Sequence, residues 1–459
     1  MSIVTLRHIM RLIICAFILF ALYFYLVGYK EEVPNYMEYM RGIITIGYCT
    51  VIYMSMNRNI SRQVFFTYLF VSFYLLSVIL QYSMIHAAHR LFGFSSDAYT
   101  YIAYGMNYRD LGILDFWKVI LSTNRIDDLG FNTIVFWCAK ICGRDALSIA
   151  NLLIFLNSII YIIGVYYFYQ LCVTLLDDKH RARIATGLWA GFSTLIITNA
   201  SGVKEVIFTA IIVIAMYCIY KYKESPTRSN LLRALLFIGL CILFRFVICY
   251  ALVLSLLTII FTNENNKKAI LIFFFSGILF SSAILSLLLP TLTGYTYEQI
   301  VKGTDIIQGR IHAISNVFTA SLYPTVSTFL GPFPNINRTN MGGFMYGFAL
   351  LLKNFFSPYF LSAIYSIIRN CSYRFYPILV YITGNLMLVL ITRSALDIRF
   401  HITYIPFFFL LIFIPQKFIF KGYKYYIILL LIIVIISVYA ARGRTTFNTA
   451  PKTEFKYLN

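Results

Sequence analysis

The feature that most constrains this chain is the recurrence, along its whole length, of apolar runs of about 17–25 residues, the length a helix needs to cross a hydrocarbon core. A water-soluble fold has nowhere to put so many of them. Composition agrees. The chain is 60% hydrophobic and 12% charged, against about 45–50% and about 25% in a soluble domain, and its mean hydropathy is +0.77. The expected fold is all-α: one polytopic transmembrane helical bundle over residues 1–459, with no soluble domain at either end.

Spans are expected near 12–28, 40–56, 65–85, 148–172, 185–199, 203–221, 231–244, 246–262, 269–290, 353–368, 375–392, 401–416 and 424–440, about thirteen in all. The run "LIICAFILFALYFYLVG" from Leu12 follows Arg7 and Arg11 without an A-x-A cleavage pattern. It reads as an uncleaved first span, not a signal peptide.

The net charge is +20. In a soluble protein that balance would suggest nucleic acid. Here Lys and Arg collect in loops that fall on one side if the N-terminus is cytoplasmic, as the positive-inside rule requires. Those loops carry Arg58 and Arg62; Lys179, Arg181 and Arg183; Lys221, Lys223 and Arg228; Lys267 and Lys268; Arg369 and Arg374; and Lys417, Lys421 and Lys424. The tail after Ala441 is also basic and falls on the other side in this count. The nine cysteines show neither CxxC nor Cys/His spacing, so no metal site and no disulfide framework is expected.

Two large external loops result, at 86–146 and 291–352. The first is charge-balanced, unlike the inner loops, and opens on "SSDAYTYIAYGMNYRD". It contains "GFNTIVFWCAKICG" from Gly130, too short to span and interrupted by Lys140, and therefore expected as an interfacial helix. The second holds the turn-rich "GPFPNINRTNMGG". A channel or simple carrier rarely needs folded insertions of this size.

Asp97 is the first chemical candidate. It either caps a helix or serves as a general base that takes a proton from a sugar hydroxyl. Tyr99, Tyr101, Tyr104 and Tyr108 offer either stacking faces or an interfacial belt. A second group is charged where positive-inside gives no reason for charge: Lys204 and Glu205 between two spans, Arg245 in "LFRFVICY", and Arg393, Asp397 and Arg399 in "ITRSALDIRFHITYIP". Ionisable residues at the membrane are costly and tend to be functional, although Lys204–Glu205 as an exposed pair or snorkelling arginines would be ordinary. Guanidinium groups match phosphate oxygens in bidentate fashion. An acid on a loop and arginines at helix ends suggest transfer of a sugar from a lipid diphosphate.

These segments, with "NASGVKEVIFTAIIVIAMYCIY" and "RSALDIRFHITYIPFFFLL", resemble the bacterial O-antigen and capsular polysaccharide polymerases (Wzy, EpsG-like). That family lies near the polyprenyl-phosphate-dependent membrane glycosyltransferases. The resemblance covers roughly residues 90–415 in the order of its features. It implies a multi-pass protein of the bacterial cytoplasmic membrane that joins undecaprenyl-diphosphate-linked oligosaccharides at the external face. A chain-length regulator and a flippase would be pathway partners, and no nucleic acid would be bound. Asp97 would be the catalytic acid-base group of the first loop. Arg109, Lys204, Glu205, Arg245, Arg393 and Arg399 would bind substrate. The superfamily often shows two neighbouring acids in the first loop; here Ser96 precedes Asp97, which favours a polymerase with no metal and no other cofactor. A flippase or transporter of the same lipid-linked sugars is the second reading; it should show a repeat of helix halves, and none is visible. A non-enzymatic envelope anchor is the third.

Overall fold

The structure is a computed structural model that describes residues 35–88, 96–122, 126–261, 331, 341–370, 372–391 and 401–414. The described residues are helical and contain no strand. The expected spans at 12–28, 269–290 and 424–440 lie outside them, as does most of the 291–352 loop.

Helices α1 (Asn35–Met56), α2 (Arg62–Ala88), α6 (Ala146–Leu176), α9 (Glu205–Glu224), α10 (Arg228–Phe261), α11 (Met341–Arg369) and α12 (Tyr376–Ile391) form the bundle. Between α2 and α6 sit three shorter helices, α3 (Ser96–Tyr108), α4 (Ile113–Ser122) and α5 (Leu129–Cys142), with a 3-10 turn at Ile126–Asp128. Among the described residues four segments are long and apolar enough to cross a membrane: Arg62–Ile85, Ala146–Leu176, Glu205–Glu224 and Arg228–Phe246. Gly42–Met56 and Ile248–Phe261 are apolar but shorter.

Three stretches differ from the sequence expectation. Residues 185–199 are not one helix: α7 (Lys179–Ala190) and α8 (Ser193–Ala200) are separated at Gly191 and Phe192. Gly191 packs so closely on Tyr48 that a Cβ there would lie 2.5 Å from the ring, and the break lets α1 approach. Helix α11 begins at Met341, within the expected second loop, because an apolar stretch, "FMYGFALLL", continues the span backwards. Among the described residues of the 401–416 stretch, α13 (Ile405–Leu411) is a short α-helix that follows a turn at 402–404.

The expected pair of spans at 231–244 and 246–262 is continuous in α10 except at Arg245, whose φ of −166° and ψ of 95° are extended. Cys249 Sγ lies 3.5 Å from the Ile238 carbonyl. Eleven residues of straight helix would separate those positions by about 16 Å at about 1.5 Å per residue. The two halves therefore fold back on each other, with Arg245 at the apex.

Contacts between loops fix which ends lie together. Arg183 donates to Asn57 O at 2.7 Å, Arg374 pairs with Asp177 at 2.5 Å, Tyr220 donates to Arg374 O at 2.7 Å, and Lys223 donates to Tyr373 O at 3.3 Å. The basic loops α1–α2, α6–α7, α9–α10 and α11–α12 thus share one end of an up-and-down bundle. The 97–145 segment, the 201–205 turn and Arg245 lie at the other.

Small residues and a polar clamp hold the interior. Gly164 of α6 lets Ala210 of α9 approach so closely that a Cβ would lie 2.6 Å from the alanine's own, the small-residue packing that replaces hydrophobic driving force in lipid. Asn199 Nδ2 donates to Ser77 Oγ at 3.0 Å and Ser158 Oγ at 3.1 Å, tying α8 to α2 and α6. Each serine hydroxyl donates onward to a carbonyl one turn back in its own helix, Phe73 and Ile154 respectively.

Candidate functional site

Asn199 also anchors the segment that leads to the site. Helix α8 ends in a Schellman turn: Gly202 N donates to Asn199 O at 3.0 Å and Val203 N to Thr198 O at 3.4 Å. Gly202 has φ of +63°, a left-handed conformation that glycine adopts without the Cβ penalty. The turn delivers Lys204 just ahead of α9 and Glu205 into its first turn.

Across from them, α3 packs on α5. Gly105 allows this: a Cβ there would lie 3.1 Å from the Val135 carbonyl oxygen. The Tyr101 ring meets Phe131 edge-on at 5.0 Å. The apex of α10 closes the third side, against the 3-10 turn and α5. Gly130 at the start of α5 has no side chain because the Phe244 ring occupies that space, 2.7 Å from where a Cβ would be.

Between these elements is a polar cleft of about 170 Å³ lined by Asp97, Thr100, Tyr101, Asp127, Asp128, Val203, Lys204, Glu205 and Arg245. Lys204 Nζ is in direct contact with Asp128 Oδ1 and donates to Asp127 O at 2.8 Å. Tyr101 Oη donates to Asp128 Oδ1 at 2.9 Å. Arg245 Nη2 lies 3.5 Å from Glu205 Oε1. Asp128 stands at the N-cap of α5 yet makes no capping bond. It forgoes a stabilisation of about 1 kcal/mol to hold Lys204 and Tyr101, and local rules are broken in this way mainly at functional sites.

Burial pushes the Asp127 carboxyl above the usual carboxylate range; Lys204 draws it back, Asp128 raises it further and Arg245 lowers it. Burial likewise raises the Tyr101 hydroxyl, with Asp128, Glu205 and Asp97 adding to the effect. Tyr101 therefore stays protonated and remains a donor.

Four of the residues that stand out in the sequence, Asp97, Lys204, Glu205 and Arg245, come together here from three separate segments. Asp97 lies in the first turn of α3, where its charge also favours the helix dipole. Arg109 does not line the cleft: its Nε is 3.4 Å from Asp110 Oδ1, at the far end of α3. Arg393 and Arg399 lie outside the described residues. Of the four tyrosines only Tyr101 lines the cleft. Tyr104 and Tyr108 stack on each other at 6.0 Å and pack on the α4–α5 cluster of Phe116, Ile120 and Phe136.

Asp127 and Asp128 were legible only as loop charges, since two acids ahead of an apolar run look like a helix start. The available signal was their adjacency: neighbouring acids do occur in this loop, thirty positions beyond Asp97. Among the described residues no group of three or more His, Cys, Asp or Glu side chains is arranged to hold a metal ion.

Comparisons with family models, with curated proteins and with solved structures each find no match to this chain.

Proposed function

We propose that the chain is a membrane glycosyltransferase of the polysaccharide polymerase type, acting at the external face of the bacterial cytoplasmic membrane on undecaprenyl-diphosphate-linked oligosaccharides. The observation that carries this reading is the convergence of Asp97, Lys204, Glu205 and Arg245 on one polar cleft at the end of an otherwise apolar bundle. The end opposite the basic loops is the external one under the positive-inside rule. On α4 and α5, Leu114, Trp117, Trp137 and Ile141 are exposed, as suits helices lying in the interface.

In the reaction, Asp97 takes the proton of an acceptor hydroxyl as its oxygen attacks the anomeric carbon. The bond from that carbon to the lipid diphosphate breaks, and the diphosphate leaves with the electron pair. Positive charge develops on the ring, and the carboxyls around the cleft favour it. Lys204 and Arg245 hold those carboxyls in place. Arg393 and Arg399 take the departing diphosphate, and Arg109, at the far end of α3, positions sugar or phosphate away from the cleft.

Asp97→Asn tests the reading. Asn keeps the size and forgoes only the charge–dipole contribution of the first turn, about 0.3–1 kcal/mol, but cannot act as the base. Polymer should vanish, single lipid-linked repeat units should accumulate at the outer face, and protein level should hold. Normal polymer would overturn the assignment.

One observation favours a carrier of the same lipid-linked sugars as second reading: Asp127 is a half-buried acid beside an ion pair, its pKa raised by burial, the kind of group that proton-coupled carriers use. On that reading Asp97→Asn would strand repeat units on the inner face.

A further inference from the structure

Lys353 is a charge inside the bundle, away from the cleft. The span expected at 353–368 would put it at the outer mouth of a helix. In the structure α11 begins at Met341, so Lys353 lies about 18 Å along the helix, and it is fully withdrawn from solvent. Its Nζ contacts the carbonyl oxygen of Gly331, a buried residue of the expected second loop. The ammonium also lies 5.7 Å from the centre of the Tyr404 ring and 5.4 Å from that of Phe408, within cation–π reach of both.

Tyr404 adds a second, independent observation. Its Oη donates to the same Gly331 oxygen at 3.0 Å. One donor is enough to satisfy a buried carbonyl, and an apolar side chain in place of Lys353 would be cheaper to bury. Ionisable groups inside a membrane bundle are kept mainly for function. Tyr404 closes the 402–404 turn, which α12 holds as well: Asn385 Nδ2 donates to Thr403 Oγ1 at 2.8 Å and Tyr381 Oη to Thr403 O at 3.3 Å. That turn begins three residues after Arg399.

We propose that Lys353 is a positioning residue for transfer from the lipid diphosphate: it clamps the 402–404 turn to Gly331 and through that turn sets the position of Arg399. The proposal rests on the glycosyl-transfer reading, in which Arg399 takes the departing diphosphate, and adds a residue that acts through Arg399 without touching substrate. The clamp joins α11, the expected second loop and the turn ahead of α13 at one carbonyl oxygen. Such rigidity matters because a group misplaced by about 1 Å can cost about a hundredfold in rate.

The test compares polymer synthesis, per amount of folded full-length protein, in cells carrying Lys353→Met, Arg399→Lys or both. Met keeps the stem and rests well on aromatic rings but lacks the ammonium. Lys353→Met should slow synthesis at least about tenfold. Both changes act on one interaction, so the double variant should lie within about threefold of the slower single one, whereas independent effects would multiply. If Lys353→Met does not fold, Tyr404→Phe takes its place. It removes one hydroxyl from the Gly331 carbonyl and should slow synthesis about three- to tenfold, again without multiplying with Arg399→Lys. Full activity per folded molecule in the variant used overturns the proposal, since a merely structural clamp changes only the amount of folded protein. So do effects that multiply, or a fully active Arg399→Lys, which leaves Lys353 nothing to act through. The Asp97→Asn polymer assay separates the two claims: normal polymer there removes the glycosyl-transfer reading. Loss of polymer there, with effects at Lys353 and Arg399 that multiply, removes the positioning role alone.

Discussion

Lys204 Nζ rests against Asp128 Oδ1, so that a residue ahead of α9 is joined to one 76 positions earlier at the start of α5. This contact binds the 86–146 segment to the bundle, and both side chains are largely withdrawn from solvent, at 7% and 12% exposure.

Breaking a buried pair from one side strands the other charge, which typically costs about 3–5 kcal/mol. Lys204→Met should lower thermal stability in detergent by an amount of that order. The double variant Lys204→Met/Asp128→Leu should regain most of it, while polymer synthesis stays lost. A double variant as unstable as the single one would mean that Lys204 stabilises through the Asp127 carbonyl and not through the ion pair.

Asp127 makes a prediction of opposite sign. Its folded-state pKa is raised above the ordinary carboxylate value, so the native state holds the proton more tightly than the unfolded one. Stability is then lost as pH rises from the unfolded value of about 3.9 through the folded one. Asp127→Asn escapes that loss. It should unfold at higher temperature than the unaltered protein at neutral pH, and the advantage should fade as pH falls toward about 4. A variant less stable at neutral pH would show that Lys204 outweighs burial at this carboxyl.

The loop contacts predict sidedness. Asn59 and Ser225 are exposed at the basic end and Ser122 is exposed in the segment at the other. In a background without native cysteines, Ser122→Cys should react with an impermeant thiol reagent in intact cells. Asn59→Cys and Ser225→Cys should react only in inside-out vesicles. Labelling of all three from one face would break the up-and-down arrangement.

Arg393 and Arg399 are expected to meet the diphosphate through geometry as well as charge. Lysine keeps the charge and loses the planar fork, and a lost charge-assisted bond is worth about 1.5–3 kcal/mol. Arg393→Lys and Arg399→Lys cells should make polymer about ten- to a hundredfold more slowly at equal expression. Full activity in both would assign these residues to headgroup snorkelling.

What the chain's order of residues determined by itself is whatever depends on neighbours along the chain. Among the described residues the apolar runs become helices, one of them broken at Gly191 and Phe192, because length and hydropathy are local properties, and the four basic loops described share one end, as the order of the helices along the chain requires. Arg245 was marked as a break between two apolar halves, and it is the apex where they fold back. Asp97, Lys204, Glu205 and Arg245 stood out because each puts charge where charge is expensive. What the tertiary structure decided is the partner of each charge. Nothing within a turn of Lys204 points to Asp128, and only the packing of α3 and α5 against the α9 and α10 termini brings the two together. The same packing turns Asp128 from a helix cap into the acid that holds Lys204 and Tyr101. It also brings Asp97, Asp127, Asp128 and Glu205 into one cleft with Lys204 and Arg245. Electrostatic character in a low-dielectric cleft is a sum over groups a few ångströms apart in space, and those groups come from segments up to 148 residues apart in sequence, from Asp97 to Arg245.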